Sequence, residues 1–305
     1  MLPHATFIGI AITAATLAVL IAQFFRARRV HAFPVYGWLG ILALIAGEWL
    51  MFHGVEPLAT YFTPFAWSAW ILLADASVLA LTGRSRLRDS PLALARMALL
   101  SIPLWLFFEA YNLRLHNWTY VGVPRQWAAA LVGYGWSFAT ITPAIFETAD
   151  LAQVLFPARA RQPLKISLRA EAVIAAIGAA CLIIPLVIRQ PIAAHLFVLV
   201  WIGFVLLLDP LNHRLGLPSF LGDLAAGSTQ RLRGFLISGW TCGWLWEFWN
   251  NWAAAKWHYT FPMFQQWKIF EMPAPGYLGF LPFALDCFAM YTTVAYLVGW
   301  LKQSI

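Results

Sequence analysis

Acidic residues are rare in this chain, and six of them form three pairs at a nearly constant spacing. Only 13 Asp and Glu occur among 305 residues. In the apolar segments, three acids are each followed by a second acid 134 to 139 residues later. The pairs are Glu109 with Glu247, Glu147 with Asp286, and Asp75 with Asp209. An ionised carboxylate in hydrocarbon costs at least about 2.5–3.5 kcal/mol, so each acid is a candidate for function.

The surroundings of these acids favour proton chemistry. No Lys or Arg lies in the predicted apolar interiors, so the carboxyls need a proton, hydrogen bonds or a bound cation. A buried, protonated carboxyl is a general acid toward an electron-rich partner, and Trp and Tyr faces stabilise a developing carbocation. We therefore expect Glu147, Asp286, Glu247 and Glu109 to be catalytic proton donors and acceptors in an aromatic cavity.

Two similar aromatic stretches contain the first of these pairs. FEAYNLRLHNWTY repeats the order of WEFWNNWAAAKWHY: a glutamate, an asparagine three residues later, then Trp-x-Tyr. A carboxyl and an amide at that spacing share one face of a helix. The residues expected to bind substrate are Asn112, Trp118, Tyr120, Asn250, Trp257 and Tyr259. The alternative interpretation is an interfacial cap within a membrane belt of Trp and Tyr.

Glu147 and Asp286 each stand four residues after a proline, Pro143 and Pro282. Such a proline frees a backbone carbonyl one turn earlier and makes a polar notch near the acid. We place both acids near mid-membrane, as parts of a site or as partners in a hydrogen bond between helices.

Asp75 and Asp209 lie toward the ends of their segments, where capping and loop anchoring are the expected roles. Glu48 has no counterpart in the second half, and it is a secondary candidate.

These residues must be positioned by a membrane-spanning helical bundle. Apolar residues make up 61% of the chain and charged residues only 11%, whereas soluble domains average roughly 45–50% and 25%. Segments of about 20 apolar residues cross a bilayer as helices. Nine are predicted, near residues 5–25, 36–54, 58–82, 92–111, 127–156, 170–189, 192–210, 232–252 and 277–300. The first is expected to be a retained helix and not a cleaved signal peptide.

Basic residues cluster in every second connection between these segments. The clusters lie at Arg26–Arg29, Arg84–Arg88, Arg159–Arg169, Arg214–Arg233 and Lys302. By the positive-inside rule these connections are cytoplasmic, the N-terminus is outside and the C-terminus is inside. The net charge of +7 is then best explained by contact with anionic phospholipid, not with nucleic acid. We expect an integral protein of the bacterial inner membrane.

The paired acids predict an internal duplication of four helices. Residues 31–165 and 166–305 would be parallel copies related by a pseudo-twofold axis along the membrane normal, and residues 1–30 an extra N-terminal helix. Such a duplication generally places a shared cavity between its halves.

Several chemistries have no motif in the sequence. The chain lacks GxGxxG, a P-loop, HExxH, a histidine box, an aspartate-rich diphosphate site and GxSxG, so no cofactor and no metal are predicted. The three cysteines each lie inside a predicted helix and do not indicate disulfides.

The duplicated motifs resemble a known family. NNWAAAKWHY followed by GYLGFLP and Asp286, with NLRLHNWTY, Pro143 and Glu147 as the first copy, is similar to the cofactor-free lycopene cyclases of the heterodimeric or fused type. The resemblance implies two helical units that share one intramembrane site, in which acids after a proline protonate a terminal double bond. The chain departs from that family in having four helices a unit, and a single acid four residues after the proline.

Three functions remain open from the sequence. The first is an intramembrane enzyme that cyclises, isomerises or hydrates a carotenoid or other isoprenoid lipid by acid catalysis. The second is a proton-coupled transporter or a lipid-binding protein. The third is a structural or accessory subunit, with the aromatic residues in contact with lipid, a membrane-protein partner or a second copy of the chain.

Overall fold

The computed structural model describes residues 4–301 and is a bundle of helices. Lys302, part of the basic pattern above, lies outside the described residues. In chain order the helices are α1 (His4–Arg26), α2 (Val35–Phe52), α3 (Phe62–Thr82), α4 (Arg86–Asp89), α5 (Pro91–Leu115), α6 (Trp127–Leu155), α7 (Leu168–Val187), α8 (Gln190–Ala193), α9 (Phe197–Arg214), α10 (Phe220–Ala225), α11 (Gln230–Trp252) and α12 (Phe280–Leu297). Within residues 4–301, nine of them are long, and the predicted all-helical transmembrane bundle is confirmed.

Eight helical segments of the described chain are long and apolar enough to cross a membrane, so this is an integral membrane protein. The eighth of them joins α12 to the 3-10 turn before it, over Ala274–Leu297. The ninth long helix, α11, does not meet the same hydropathy criterion. It begins with Gln230, Arg231 and Arg233 and ends in a run of Trp and Asn. α11 packs against α1, α6 and α12, and its Trp- and Asn-rich end is largely buried, whereas Arg233 at its start is exposed.

The long helices pack in two matching sets. α2 lies against α3, which lies against α6; likewise α7 lies against α9, which lies against α12. α5 packs on α6, and α11 packs on α12. Between the sets, α6 contacts α11 and α5 contacts α12, while α1 lies against α11. This arrangement is what a duplicated four-helix unit would produce, and the duplication itself stays a prediction.

Both Trp-x-Tyr tripeptides form strands that join the two sets. Strands β1 (Trp118–Val121) and β2 (Lys256–Tyr259) are antiparallel. Trp118 lies opposite Tyr259 and Tyr120 lies opposite Trp257, as a two-fold axis through this ribbon would require. A second small pair, β3 (Lys268–Ile269) with β4 (Met272–Pro273), follows in the same connection. Neither pair of strands was predicted from the sequence pattern.

The two ends of the bundle differ in their connections. We call the end with α4 and α10 the basic face, because the connections near them hold most of the Arg clusters. We call the end with β1 and β2 the strand face.

The third pair of acids caps the short helices of the basic face. Asp75 Oδ2 accepts a hydrogen bond of 2.8 Å from the backbone N–H of Leu87 in α4. Asp209 accepts hydrogen bonds of 2.7 and 2.9 Å from the backbone N–H groups of Phe220 and Leu221 in α10. Helix N-termini have unpaired N–H groups that a carboxylate stabilises. The expected anchoring role of both acids is confirmed.

A serine side chain caps each of these short helices as well. Ser85 Oγ accepts a hydrogen bond of 3.3 Å from the backbone N–H of Arg88, and Ser219 Oγ one of 3.0 Å from that of Gly222. Each helix is thus fixed by one local serine and one aspartate from the preceding long helix.

Candidate functional site

Glu109 accepts hydrogen bonds from three aromatic side chains. Its Oε1 is 2.8 Å from Trp105 Nε1, 3.2 Å from Trp118 Nε1 and 2.5 Å from the Tyr120 hydroxyl. Trp105 is one turn earlier on α5, and β1 brings the other two donors back to the same carboxyl. Glu109 itself is half-buried.

Glu247 is fully buried at the corresponding place in the second half. Its Oε1 accepts a hydrogen bond of 2.9 Å from the Tyr259 hydroxyl, and the carboxyl has 0% exposure. Glu247 Oε2 is buried without a hydrogen-bond partner. A buried oxygen without a partner is unusual and costs about 1–3 kcal/mol, so Glu247 is a stronger candidate for chemistry than Glu109.

The two tyrosines hold their protons. Burial raises the pKa of Tyr120 and of Tyr259 well above the ordinary value, and the neighbouring glutamate raises it further. Each phenol is therefore a hydrogen-bond donor to its glutamate.

The two asparagines position the strands. Asn112 Nδ2 donates to the Trp118 carbonyl at 2.9 Å, and its Oδ1 accepts from the backbone N–H groups of Asn117 and Trp118. Asn250 Nδ2 donates to the Trp257 carbonyl at 3.0 Å, and its Oδ1 accepts from the N–H of the same residue at 2.9 Å. We expected both amides to bind substrate; the structure places them against the strand backbone instead.

An aromatic cavity lies between the two sets of helices, toward the strand face. Its empty volume is about 1130 Å³, which includes the space at its open side. Both halves contribute aromatic walls, which include Trp67, Trp105, Tyr134, Phe138, Trp201, Trp246, Phe280 and Phe283. All four aromatic residues of the two Trp-x-Tyr tripeptides also line it: Trp118, Tyr120, Trp257 and Tyr259. Asn112 and Asn250 are not part of this lining.

The polar part of this lining is small. Lys256 is the one charged side chain among the described residues that line the cavity. Its Nζ donates to the Asn251 carbonyl at 3.0 Å and lies 3.8 Å from Glu271. Since its charge is already compensated there, the cavity presents mainly aromatic faces and hydroxyl groups to a ligand.

The other two predicted catalytic acids lie outside this lining. Glu147 is eight residues from the end of α6 at the basic face and twenty from its start, so it lies nearer to the basic face than to the strand face, and its depth in the membrane stays a prediction. Asp286 faces α9, where its Oδ1 accepts the backbone N–H of Val205 at 2.7 Å. The four acids therefore do not meet at one place: Glu109 and Glu247 adjoin the cavity through tyrosines, and Glu147 and Asp286 do not line it.

Two partners of the acids were not singled out from the sequence. Trp105 stands four residues before Glu109, a spacing that puts both on one helix face and could have identified it. Arg86 lies 3.9 Å from Glu147, but it belongs to a connection distant in sequence, and no local spacing links the two residues. The secondary candidate Glu48 accepts a hydrogen bond of 3.2 Å from Trp249 Nε1.

Metal ligands are not clustered in the described part of the chain, where no three His, Cys, Asp or Glu side chains are placed to hold an ion. The chain matches no protein-family model, no curated protein and no solved structure, so its function has to be inferred from the geometry of the aromatic cavity and its acids.

Proposed function

We propose that the protein is an intramembrane enzyme that binds a carotenoid or other isoprenoid lipid in the aromatic cavity and converts it by proton transfer. The observation that carries this proposal is the Glu247–Tyr259 pair. Its tyrosine lines the cavity, while its glutamate is fully buried and has one oxygen without a hydrogen-bond partner.

The shape and chemistry of the cavity support the ligand class. The cavity lies between two sets of membrane helices, and aromatic walls pack well against a chain of conjugated or isolated double bonds. Charged ligands are disfavoured, because the cavity offers them Lys256 alone and that ammonium already has a carboxylate partner.

The proposed reaction conserves protons. Glu247 would supply one proton, through or beside the Tyr259 hydroxyl, to a terminal double bond of the ligand and leave a tertiary carbocation. A neighbouring double bond would attack that cation and close a ring, and loss of a proton to a carboxylate would form the new double bond. The aromatic walls would stabilise the cation through the electron-rich faces of their rings.

Occupation of the cavity can be tested with a matched pair of glycine variants. Gly133 lines the cavity, whereas Gly135 does not, and a Cβ added at Gly135 would have open space around it. We expect G133L to abolish conversion of lycopene in a lycopene-producing host and to reduce quenching of Trp fluorescence by added lycopene. G135L should behave as the wild type in both measurements.

The outcomes separate binding from chemistry. If lycopene quenches the fluorescence of the wild-type protein but no new product forms, the protein binds the lipid without converting it, and the lycopene reaction is excluded. Equal behaviour of G133L and G135L would exclude the aromatic cavity as the binding site.

Proton-coupled transport is a second candidate, favoured by one observation. A second cavity lies beside α4 at the basic face, opposite the aromatic one, and Arg86 and Asp150 line it. Ligand flux in liposomes that depends on a pH gradient would support transport over catalysis.

The orientation proposed for the bundle follows its basic residues. We infer that the basic face is cytoplasmic, in contact with anionic phospholipid of a bacterial inner membrane. An association with a membrane-protein partner or a second copy would use the lipid-exposed helix faces, and purification in detergent would test it.

A further inference from the structure

Glu147 is a buried acid that the proposed chemistry does not use. It has 0% exposure, and neither carboxyl oxygen has a hydrogen-bond partner. The nearest basic group is the Arg86 guanidinium, whose Nε lies 3.9 Å from Glu147 Oε1. That distance is beyond a hydrogen bond, so the carboxyl is left with electrostatic attraction alone.

The other charged groups around Glu147 already have partners. Arg86 donates to Asp150 Oδ2 at 2.7 Å. Asp75 accepts hydrogen bonds from the Tyr36 hydroxyl at 2.6 Å and from the backbone of α4. Among these three carboxylates, Glu147 is the one without a hydrogen-bond donor.

The basic-face cavity provides solvent close to this acid. Its empty volume is about 1030 Å³, including the space at its open side, and its lining contains Arg86, Asp150, Gln153 and Tyr291. Asp150 is one turn from Glu147 on α6, and Arg86 reaches both the cavity and the buried carboxyl. The Arg86 side chain therefore lies beside both Glu147 and the cavity.

We propose that Glu147 is a proton-binding site in exchange with solvent of the basic-face cavity, with Arg86 as the group that controls the exchange. The carboxylate takes a proton from solvent and returns it to solvent, so no other reactant is needed. The charged and titratable groups that act on it are Arg86 from α4, Asp75 from α3 and Asp150 from α6.

The arrangement favours a proton over a metal ion. A cation in such a site would need several free oxygen ligands, whereas the carboxylates of Asp75 and Asp150 are already engaged. Tyr36 and Tyr291 border this region from α2 and α12 and are neutral phenols. The inference does not rest on the lipid chemistry proposed for the aromatic cavity.

Infrared spectroscopy of the purified protein tests this site directly. Because Glu247 and Asp286 are buried with an unpaired oxygen as well, the contribution of Glu147 is the difference between the wild-type and E147Q spectra. The wild-type protein in nanodiscs should show a band of a protonated carboxyl in this difference spectrum, and that band should disappear as the pH is raised. Glu171 is the matched control: it is also buried, but His213 and Arg214 pair with it at 2.7 and 2.8 Å. E171Q should therefore keep the band.

Variants of the neighbours should change the band in opposite directions. R86Q removes a positive charge, so the band should be stronger at a given pH; D150N frees Arg86 to approach Glu147, so the band should be weaker. E147D should keep a band at a shifted frequency, which covers the case in which E147Q does not fold.

Three results would overturn the inference. They are identical pH-dependent carboxyl spectra of the wild type and E147Q, a difference band that does not change with pH, and a difference band that is removed at constant pH by sodium but not by choline. The last result would identify a cation site instead.

Discussion

Glu109 and Glu247 stand in equivalent motifs but in different environments. Glu109 is half-buried, and its Oε1 accepts three hydrogen bonds. Glu247 is fully buried, and its Oε2 has no partner. One position accounts for one of the donors: Trp105 in the first half corresponds to Gly243 in the second, where a side chain would collide with the ring of Phe280. The same motif thus provides three donors to one oxygen of the half-buried Glu109 and the Tyr259 donor to the fully buried Glu247.

The two halves therefore make different contributions to the candidate site. Each half supplies one Trp-x-Tyr strand to the cavity, but only the second combines a tyrosine with an incompletely paired, buried glutamate. Buried polar atoms in proteins usually have a hydrogen-bond partner, and a buried atom without one needs an explanation, which here is a functional one. Under the proposed function, proton transfer would belong to the second half and structural support to the first.

Substitution of the two glutamates should have the largest and most unequal effect. General acid catalysis contributes about 10²–10⁴-fold in rate, so E247Q is expected to lower product formation by about 100-fold or more. E109Q should lower it by about 10-fold or less, because its hydrogen-bond donors remain and position the strand. Product formed per amount of purified protein measures the ratio, and equal losses would contradict the assignment.

The two asparagines should differ in their contribution to stability. N250A removes a fully buried amide and leaves strand N–H and C=O groups of Trp257 unpaired, at about 2–3 kcal/mol. N112A affects a half-buried residue, so we expect about half that loss. Denaturation in detergent followed by Trp fluorescence gives both values, and a larger loss in N112A would reverse the proposed order.

Removal of the tyrosine hydroxyl should also destabilise the protein more in the second half than in the first, but by smaller amounts. Y259F leaves Glu247 without the Tyr259 donor, at about 1–2 kcal/mol, whereas Glu109 retains two indole donors in Y120F, which should cost about 1 kcal/mol or less. Thermal unfolding of the two variants beside the wild type measures the difference. If Y120F is the less stable protein, the pairing at Glu109 is more important than the comparison implies.

The smallest effect is expected from a substitution that removes one hydrogen-bond donor from Glu109 and so makes the first half more like the second. W105F retains an aromatic wall but removes one donor from Glu109, with an expected loss of about 0.5–1.5 kcal/mol. Its effect on product formation should be minor, since the donor acts on Glu109 and not on Glu247. A loss of activity as large as that of E247Q would show that the first half takes part in the reaction.

The helices were predictable from the sequence, whereas the directions in which the buried acids point were not. Long apolar runs between basic connections set the helix positions, and even α11 is found although its hydropathy is low. In a membrane helix, however, the lipid-facing and the buried faces are both apolar. No periodic signal therefore shows which way Glu147 or Asp286 points.

The aromatic part of the site was predictable only in part. Trp118, Tyr120, Trp257 and Tyr259 line the cavity, as we expected from their repetition. The return of each strand onto its own helix was not predicted, because it depends on hydrogen bonds between an asparagine and a backbone six or seven residues away. Those bonds are what brings each tyrosine to its glutamate.

The ribbon of β1 and β2 also limits how the two halves can move. Its backbone pairs four residues of one half with four of the other, while at the basic face Gln230 Nε2 donates to the Gln153 carbonyl and the Arg161 N–H to the Gly227 carbonyl. Any rocking of one half against the other with the ribbon as the pivot would therefore have to break these contacts at the basic face, because the helices act as lever arms. A helix of 29 residues such as α6 is about 43 Å long, so a rotation of a few degrees at the pivot would displace the opposite end, near Glu147, by several ångströms.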